Sequence, residues 1–405
     1  MSEGGLPSAA PTTDDRLHFL DGYRALAALA VVCFHVGGAS HWVSNSSNLG
    51  LDAEAWRARL GNYGVTVFFL LSGLVLYRPF LRASLLGSPA PTYARYLRRR
   101  VVRIFPAYLA ALSVFFILGL SSVKHLSSWD YVVQYLLLIN YDDRGFLVSI
   151  GVSWTLCIEI AFYLALPLLA MGIRHLPGGR STRIAQRVAT QLGGLALMVL
   201  AAWAYRIFLL GVHPDVPGNA PGYLVAYLDW FALGMALAVA LEARAVGVAL
   251  PRWLEALASS TLCCWLLAAE LYWLSVQLDI SGVFYESGGK TLARFALNGI
   301  SALLLLLPAV LAREPGRALR ALDARPLVFL GTISYGIYLW HPLVLRVTER
   351  ADVPFSTVSR LAFVLATSIP LAYLSLRVIE RPTMYAERRY ARRHRPERTV
   401  TVAPA

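Results

Sequence analysis

Charge is what this chain has least of. Only 15% of its 405 residues are Asp, Glu, Lys or Arg, against 57% hydrophobic residues, and an ordinary soluble domain does not carry so little charge beside so much apolar surface. Acidic residues are the scarcer sign, 24 against 37 Lys and Arg, which leaves a net charge of +13. Cysteine is rare as well. Cys33, Cys157, Cys263 and Cys264 all fall within apolar runs, so the sequence offers neither an extracytoplasmic disulfide framework nor a metal-ligand spacing. No internal repeat is visible, and the connections between apolar runs are too short to be domains. The stretch from Met1 to Asp15 is acidic and rich in Ser, Pro, Gly and Thr. It lacks the basic start of a cleaved signal peptide, so the first apolar run is expected to stay attached.

What stands in place of charge is apolar length. Runs at 19–39, 62–79, 103–120, 152–173, 191–211, 223–242, 254–277, 291–311, 327–347 and 357–378 are each long enough to cross a bilayer as a helix. This predicts an all-α fold, a polytopic transmembrane helical bundle of about ten spans. With the N-terminus inside, 26 of the Lys and Arg residues fall in inside segments and 7 in outside ones, so the positive-inside bias puts both termini in the cytoplasm. Trp129 to Asn140 is apolar but short, and counting it as a span would invert every later loop. It is read as a re-entrant or interfacial helix on the outer side. One membrane domain then covers 19–380, between a flexible cytoplasmic tail at 1–18 and a basic cytoplasmic tail at 381–405 that is either partly disordered or lies on the inner leaflet. The positive charge is mostly topogenic on this reading. It calls for no nucleic acid and is compatible with anionic membrane lipids or an anionic cytoplasmic ligand. Self-association is left open.

Polar residues inside spans are expensive and therefore informative. Arg24 and His35 share the first span with ten residues between them, about 16 Å along a helix axis. A structural reading makes Arg24 a snorkelling side chain and His35 an interhelix hydrogen-bond partner. Counting depth from the outer ends of the spans brings His35, Glu159, Asp229 and His341 into one layer in the outer half of the bundle. Such groups can fix a bundle by hydrogen bonding, the reading favoured for Asp229 and for His341, which precedes Pro342. For His35 and Glu159 the functional reading is preferred: a carboxylate beside an imidazole orients the ring and prepares a general base. A second cluster, Arg95, Arg98, Arg99, Arg100 and Arg103, faces the cytoplasm at the entry to the third span. It reads either as a topogenic stop or as a set of fork-shaped phosphate donors. Ser72 and Gly73, and Ser334 and Gly336, read first as small residues that let helices approach. Ser72 as a nucleophile is a minor alternative, since no adjacent base marks it.

Six strings in this order resemble the acyltransferase-3 family of multispan membrane O-acyltransferases: LDGYRALAALAVVCFHV with Arg24 and His35; FFLLSG at 68–73; RRRVVRIFP with Arg100 and Arg103; SWTLCIEIAFY with Trp154 and Glu159; SYGIYLWHP at 334–342; and ERP at 380–382. The resemblance covers nearly the whole chain. It implies an acyl-CoA donor, acetyl-CoA in the first instance, on the cytoplasmic side; a central pore threaded by its pantetheine arm; and an acceptor hydroxyl at or beyond the membrane. His35 and Arg24 occupy the family's essential pair. Many relatives carry a fused extracytoplasmic esterase-like domain after the last span, whereas here a short tail follows Leu376, so transfer is expected directly to the acceptor or to a separate partner protein.

Residues and resemblance together assign His35 as general base with Glu159 assisting it. Arg24, Arg98, Arg99, Arg100 and Arg103 are assigned to the donor's phosphates, and Trp154, Ser72, Tyr338 and His341 to the substrate-binding wall. No metal is expected. Pore width near Phe68, Phe69 and Phe162 is expected to set acyl length. The acceptor is expected to be a hydroxyl of a glycan, glycolipid or other carbohydrate-containing molecule, with a macrolide-type natural product as the alternative. A transporter or flippase for glycans or lipids is a competing class, as is a noncatalytic membrane partner that binds an anionic lipid head group. Against transport stand the absence of repeats and of helix pairs that look broken.

Overall fold

The computed structural model describes residues 19–39, 53–211, 222–278, 288–351 and 355–393. The tails expected at 1–18 and beyond 393 lie outside the described residues. Those described form helices and connections, with no strand among them. In chain order the helices are α1 (Phe19–Ala39), α2 (Ala53–Leu86), α3 (Tyr93–Ile117), α4 (Ser128–Tyr135), α5 (Gly145–Val148), α6 (Ser153–His175), α7 (Ile184–Gly211) and α8 (Leu228–Ala245). They continue with α9 (Arg252–Ser259), α10 (Thr261–Gln277), α11 (Gly288–Leu311), α12 (Arg317–Ala321), α13 (Arg325–Thr332), α14 (Ser334–Arg350), α15 (Thr357–Ser375) and α16 (Arg381–Arg393).

Eight helices are long and apolar enough to cross a membrane alone, and two bent pairs bring the number to ten if each pair is one span. The expected bundle is thus present, but two of its spans are not straight. α9 meets α10 at 89° and α13 meets α14 at 69°, which corrects the reading that broken helices are absent. At the second elbow Ile333 leaves helical geometry (φ −99, ψ 7), and the Ser334 hydroxyl donates to the Gly331 carbonyl at 2.8 Å. That bond satisfies an acceptor freed by the break. The elbow is held because Gly331 lies against the Asp21 backbone at the start of α1, where a Cβ would collide with the carbonyl.

The same economy shapes the centre. α2 and α8 cross with Gly73 facing the Phe231 carbonyl and Gly234 facing the Leu70 carbonyl, a reciprocal small-residue contact that brings two backbones together. Gly234→Ala puts a methyl inside the contact distance of Leu70 backbone atoms and is expected to cost about 1–3 kcal/mol by overpacking. Gly193→Ala on α7, where nothing lies within 4 Å, should be near neutral. Thermal unfolding of both variants in the same lipid checks this, and equal midpoints would refute the close crossing.

α4 is an eight-residue helix, too short to cross, in keeping with the non-spanning assignment. Its Ser127 and Asp130 form a capping box. The hydrogen bonds from Ser127, with Arg144 nearby, hold the Asp130 carboxyl below the usual carboxylate range.

The C-terminal boundary is different from expectation. A wide π turn at Leu376–Glu380 joins α15 to α16, accommodating Pro382, whose ring would clash with the carbonyl four residues back in a regular helix. The helix therefore runs through the boundary expected at 380. Arg98 meets Glu387 at 3.3 Å and Arg103 meets Glu380 at 3.8 Å, and Arg98 also lies 4.7 Å over the Tyr390 ring. Residues 381–393 are thus a helix docked on α3.

Candidate active site

Arg24 and His35 are eleven positions apart, close to three helical turns, so the two side chains share one face of α1. α1 packs against α2, α13 and α14. Between α1, α2, α3, α6 and the α13–α14 elbow lies a pocket of about 950 Å³, its open mouth included. Arg24, Arg100 and Arg103 line it toward the side that holds the N-terminal ends of α1 and α3, while Phe68, Thr155 and Tyr338 line it toward the opposite side. Ser72, Glu159 and Tyr163 lie between. On α6 the lining residues Thr155, Glu159 and Tyr163 recur every fourth position, a periodicity that turns one helix face to the pocket.

Beyond Tyr338 stand the two histidines. The Tyr338 hydroxyl is within 2.5 Å of the Thr155 hydroxyl, and its ring packs edge-on to Phe68 at 5.9 Å and to His341 at 6.1 Å between centroids. His341 Nε2 is 3.3 Å from His35 Nδ1. Backbone carbonyls decide how these rings carry their protons. Val31 O lies 2.9 Å from His35 Nδ1 and Ile337 O lies 3.0 Å from His341 Nδ1. A carbonyl only accepts, so both Nδ1 atoms are assigned as donors in the neutral rings. His341 Nε2 then accepts a share of the His35 Nδ1–H, and His35 Nε2 keeps a free lone pair with no partner among the described residues. A neutral histidine with its Nδ1–H held and its Nε2 open is the form a general base requires.

The anticipated outer layer is therefore only half assembled. His35 and His341 meet, although His341, expected on the substrate wall, here backs the His35 ring. Glu159 does not orient His35. Its Oε1 accepts from Ser72 Oγ at 2.8 Å and from Tyr163 OH at 2.6 Å, because α6 turns this position toward α2 and the pocket rather than toward α1. Asp229 is buried in an ion pair with Arg206, whose Nε donates to Ala226 O at 2.8 Å and whose guanidinium lies 4.4 Å from the Phe295 ring centroid.

The arginine cluster divides. Arg100 and Arg103 line the pocket with Arg24, which also pairs with Asp21 at 3.0 Å. Arg98 is engaged by Glu387, and Arg99 is exposed; neither lines the pocket. Trp154 is outside the lining too, its ring 6.0 Å from Tyr227. Of the aromatic residues expected to set pore width, Phe68 and Phe69 line the pocket, whereas Phe162 is fully buried and stacks on Phe231 at 3.9 Å. Sequence reasoning does not single out the lining residues Tyr163, Thr155 and Tyr335. The fourfold spacing of the first two around Glu159 is a legible signal; Tyr335, whose hydroxyl donates to Ile104 O at 2.8 Å, has none.

The chain matches the family described as "Acyltransferase domain" over residues 17–377. It belongs to that family, acyltransferase-3, and with its eight to ten apolar helices it is a multi-pass membrane protein. It is 26% identical over 391 residues to the peptidoglycan O-acetyltransferase OatA of Listeria monocytogenes, covering 90% of this chain and 55% of that protein. It is 29% identical over 358 residues to the acyltransferase MdmB of Streptomyces mycarofaciens, covering 83% of this chain and 80% of that protein. To the putative peptidoglycan O-acetyltransferase YrhL of Bacillus subtilis it is 26% identical over 383 residues, covering 90% and 54%. The chain thus spans about half the length of the two relatives named for peptidoglycan. No solved structure matches it.

Proposed function

We propose that this protein is a membrane O-acyltransferase that takes an acyl group from acyl-CoA and delivers it to a hydroxyl, with His35 as general base. The observation that carries the reading is the pocket itself: three arginines at one end, and at the other Tyr338 leading to a histidine pair whose Nε2 is open. The arginine end would hold the phosphates of the donor through charge-assisted hydrogen bonds. The extended arm would carry the thioester past Glu159 to the level of Tyr338. The acceptor oxygen then attacks the thioester carbonyl as His35 Nε2 takes its proton. Collapse of the tetrahedral intermediate breaks the C–S bond, and the departing CoA sulfur takes that proton, so thioester and alcohol become ester and free thiol. Acyl-CoA is cytoplasmic, so the arginine end and both termini are placed on that side. A sugar hydroxyl of a peptidoglycan-like glycan is the proposed acceptor, supported by the names of two relatives; a macrolide-type hydroxyl is the second to test.

The test is thiol release from acetyl-CoA by the purified protein in lipid nanodiscs, with glycan fragments and a macrolide as acceptors. Acceptor-dependent release with ester formation is expected. Arg103→Gln should raise the KM for acetyl-CoA about tenfold or more, the loss of one charged hydrogen bond, while S-acetyl-N-acetylcysteamine, which has no phosphates, is used as by wild type. Bent helix pairs are also found in transporters, and acceptor movement without thioester cleavage would sink the enzyme reading in favour of that class.

A further inference from the structure

Glu270 stands where an acidic residue is expensive. α10 turns through 89° from α9, so α9 runs nearly across the axis of α10 and adds little to its height. The crossing falls to the 17 residues of α10, about 25 Å of helix, and Glu270 lies at the middle of that length. The buried side of α10 is Cys264, Ala268, Tyr272, Ser275 and Val276, packed toward α11 and α2. Glu270 is two positions from both Ala268 and Tyr272 and therefore points to the opposite side. There it is exposed, among the exposed Leu266, Leu267 and Leu274, with no hydrogen bond or ion pair among the described residues. A carboxyl aimed at hydrocarbon from mid-span is costly until something meets it.

We infer that the protein pairs with a second copy of itself through α10, with Glu270 facing its counterpart across a two-fold axis along the membrane normal. The spacing of the exposed side supports a helix seam. Cys263, Leu267, Glu270, Leu274 and Gln277 are all exposed and follow one another at intervals of four, three, four and three residues, the heptad pattern by which two helices interlock. A single polar residue in such a seam fixes register and partner number. Self-complementarity identifies the partner. Copies of one chain share one orientation in the bilayer, so the two-fold axis sets each seam residue opposite itself. Leucine then packs on leucine. Two Glu270 carboxyls carrying their protons each donate O–H to the other's carbonyl oxygen, and two Gln277 amides exchange N–H donors and carbonyl acceptors in the same way. A foreign helix would need matching polar groups at both depths, whereas a second copy supplies both. No residue of α10 lines the pocket, so the pairing stands apart from the acyl-transfer reading.

The test uses the purified full-length protein in liposomes, with copper phenanthroline as oxidant and, separately, energy transfer between labelled copies as lipid is added. Cys263 is a free, exposed thiol on the seam, two turns from Glu270, so a covalent dimer is expected to form through it and to be lost in Cys263→Ser. Leu200→Cys in that background, on an exposed position of α7, should form none. Glu270→Leu should weaken pairing about tenfold or more, the loss of the interhelical hydrogen bonds. Glu270→Gln, whose amide is its own complement, should pair within about threefold of wild type. A wild type that stays monomeric at every dilution overturns the inference, as does a Glu270→Leu protein that pairs as tightly as wild type, or crosslinking at Leu200→Cys as strong as at Cys263. Should Glu270→Leu not fold, crosslinking of wild type through Cys263 decides alone, and its absence overturns the pairing.

Discussion

His35→Ala is expected to lower acyl transfer by about 10²- to 10⁴-fold, the range over which a positioned general base acts, while acetyl-CoA binding stays within about twofold of wild type. The separation of the two effects follows from where the ring sits. His35 is not among the residues lining the donor pocket; it is reached through Tyr338 and His341. Removing it takes away the proton acceptor without touching the arginines. His341→Ala should reduce turnover less, because His35 keeps the Val31 carbonyl as a tautomer lock and loses only the second acceptor at its Nδ1–H. Single-turnover thiol release, with donor binding measured separately, resolves these quantities. A folded His35→Ala protein that transfers at the wild-type rate would remove His35 from the mechanism.

Asp229→Leu is expected to destabilise the protein by about 3–5 kcal/mol, because it leaves Arg206 buried without its counter-charge. Arg206 is fully buried and Asp229 nearly so, and the pair ties α7 to α8 beneath the Trp230–Phe295 stack. Replacing both residues by leucine removes the uncompensated charge and should recover most of the loss, since an apolar pair of similar volume often serves a buried site as well as an ion pair. The double variant should also transfer acyl groups at near the wild-type rate, since neither residue lines the pocket. Reversible unfolding in lipid, compared across the two single variants and the double, measures the coupling. A double variant as unstable as Asp229→Leu alone would contradict the account, and an inactive but stable one would give Asp229 a role in the site.

Much of the site is legible in the amino-acid sequence. Arg24, Arg100, Arg103, Ser72, Glu159 and Tyr338 all line one pocket, and each belongs to one of the strings that mark the family. What the sequence leaves illegible is how those residues pair. Depth counting places Glu159 and His35 in a common layer, yet depth is one coordinate of a helix position and the direction a side chain points around the helix is another. Glu159 points to Ser72 on α2, and His35 points to His341 on α14. Ser72 has no base beside it in sequence; the carboxylate that adjoins it in space comes from a helix 87 residues away. In sequence Arg98 is as free to bind phosphate as Arg100, and in the fold Glu387 occupies it.

The sequence by itself determined that this is a helical protein of the membrane, with ten apolar spans, a short non-spanning helix before the fourth, and membership of a recognisable family. These follow from apolar length and local spacing, which are properties of a chain read in one dimension. Only the tertiary structure decided the two elbows, the docking of α16 on α3, the isolation of Asp229 with Arg206, and the histidine pair. Each depends on contacts between residues far apart in number, 306 for His35 and His341 and 289 for Arg98 and Glu387. Such contacts are set by how helices rotate and bend to bury their small residues and satisfy their polar ones, and that choice is made by the whole bundle at once.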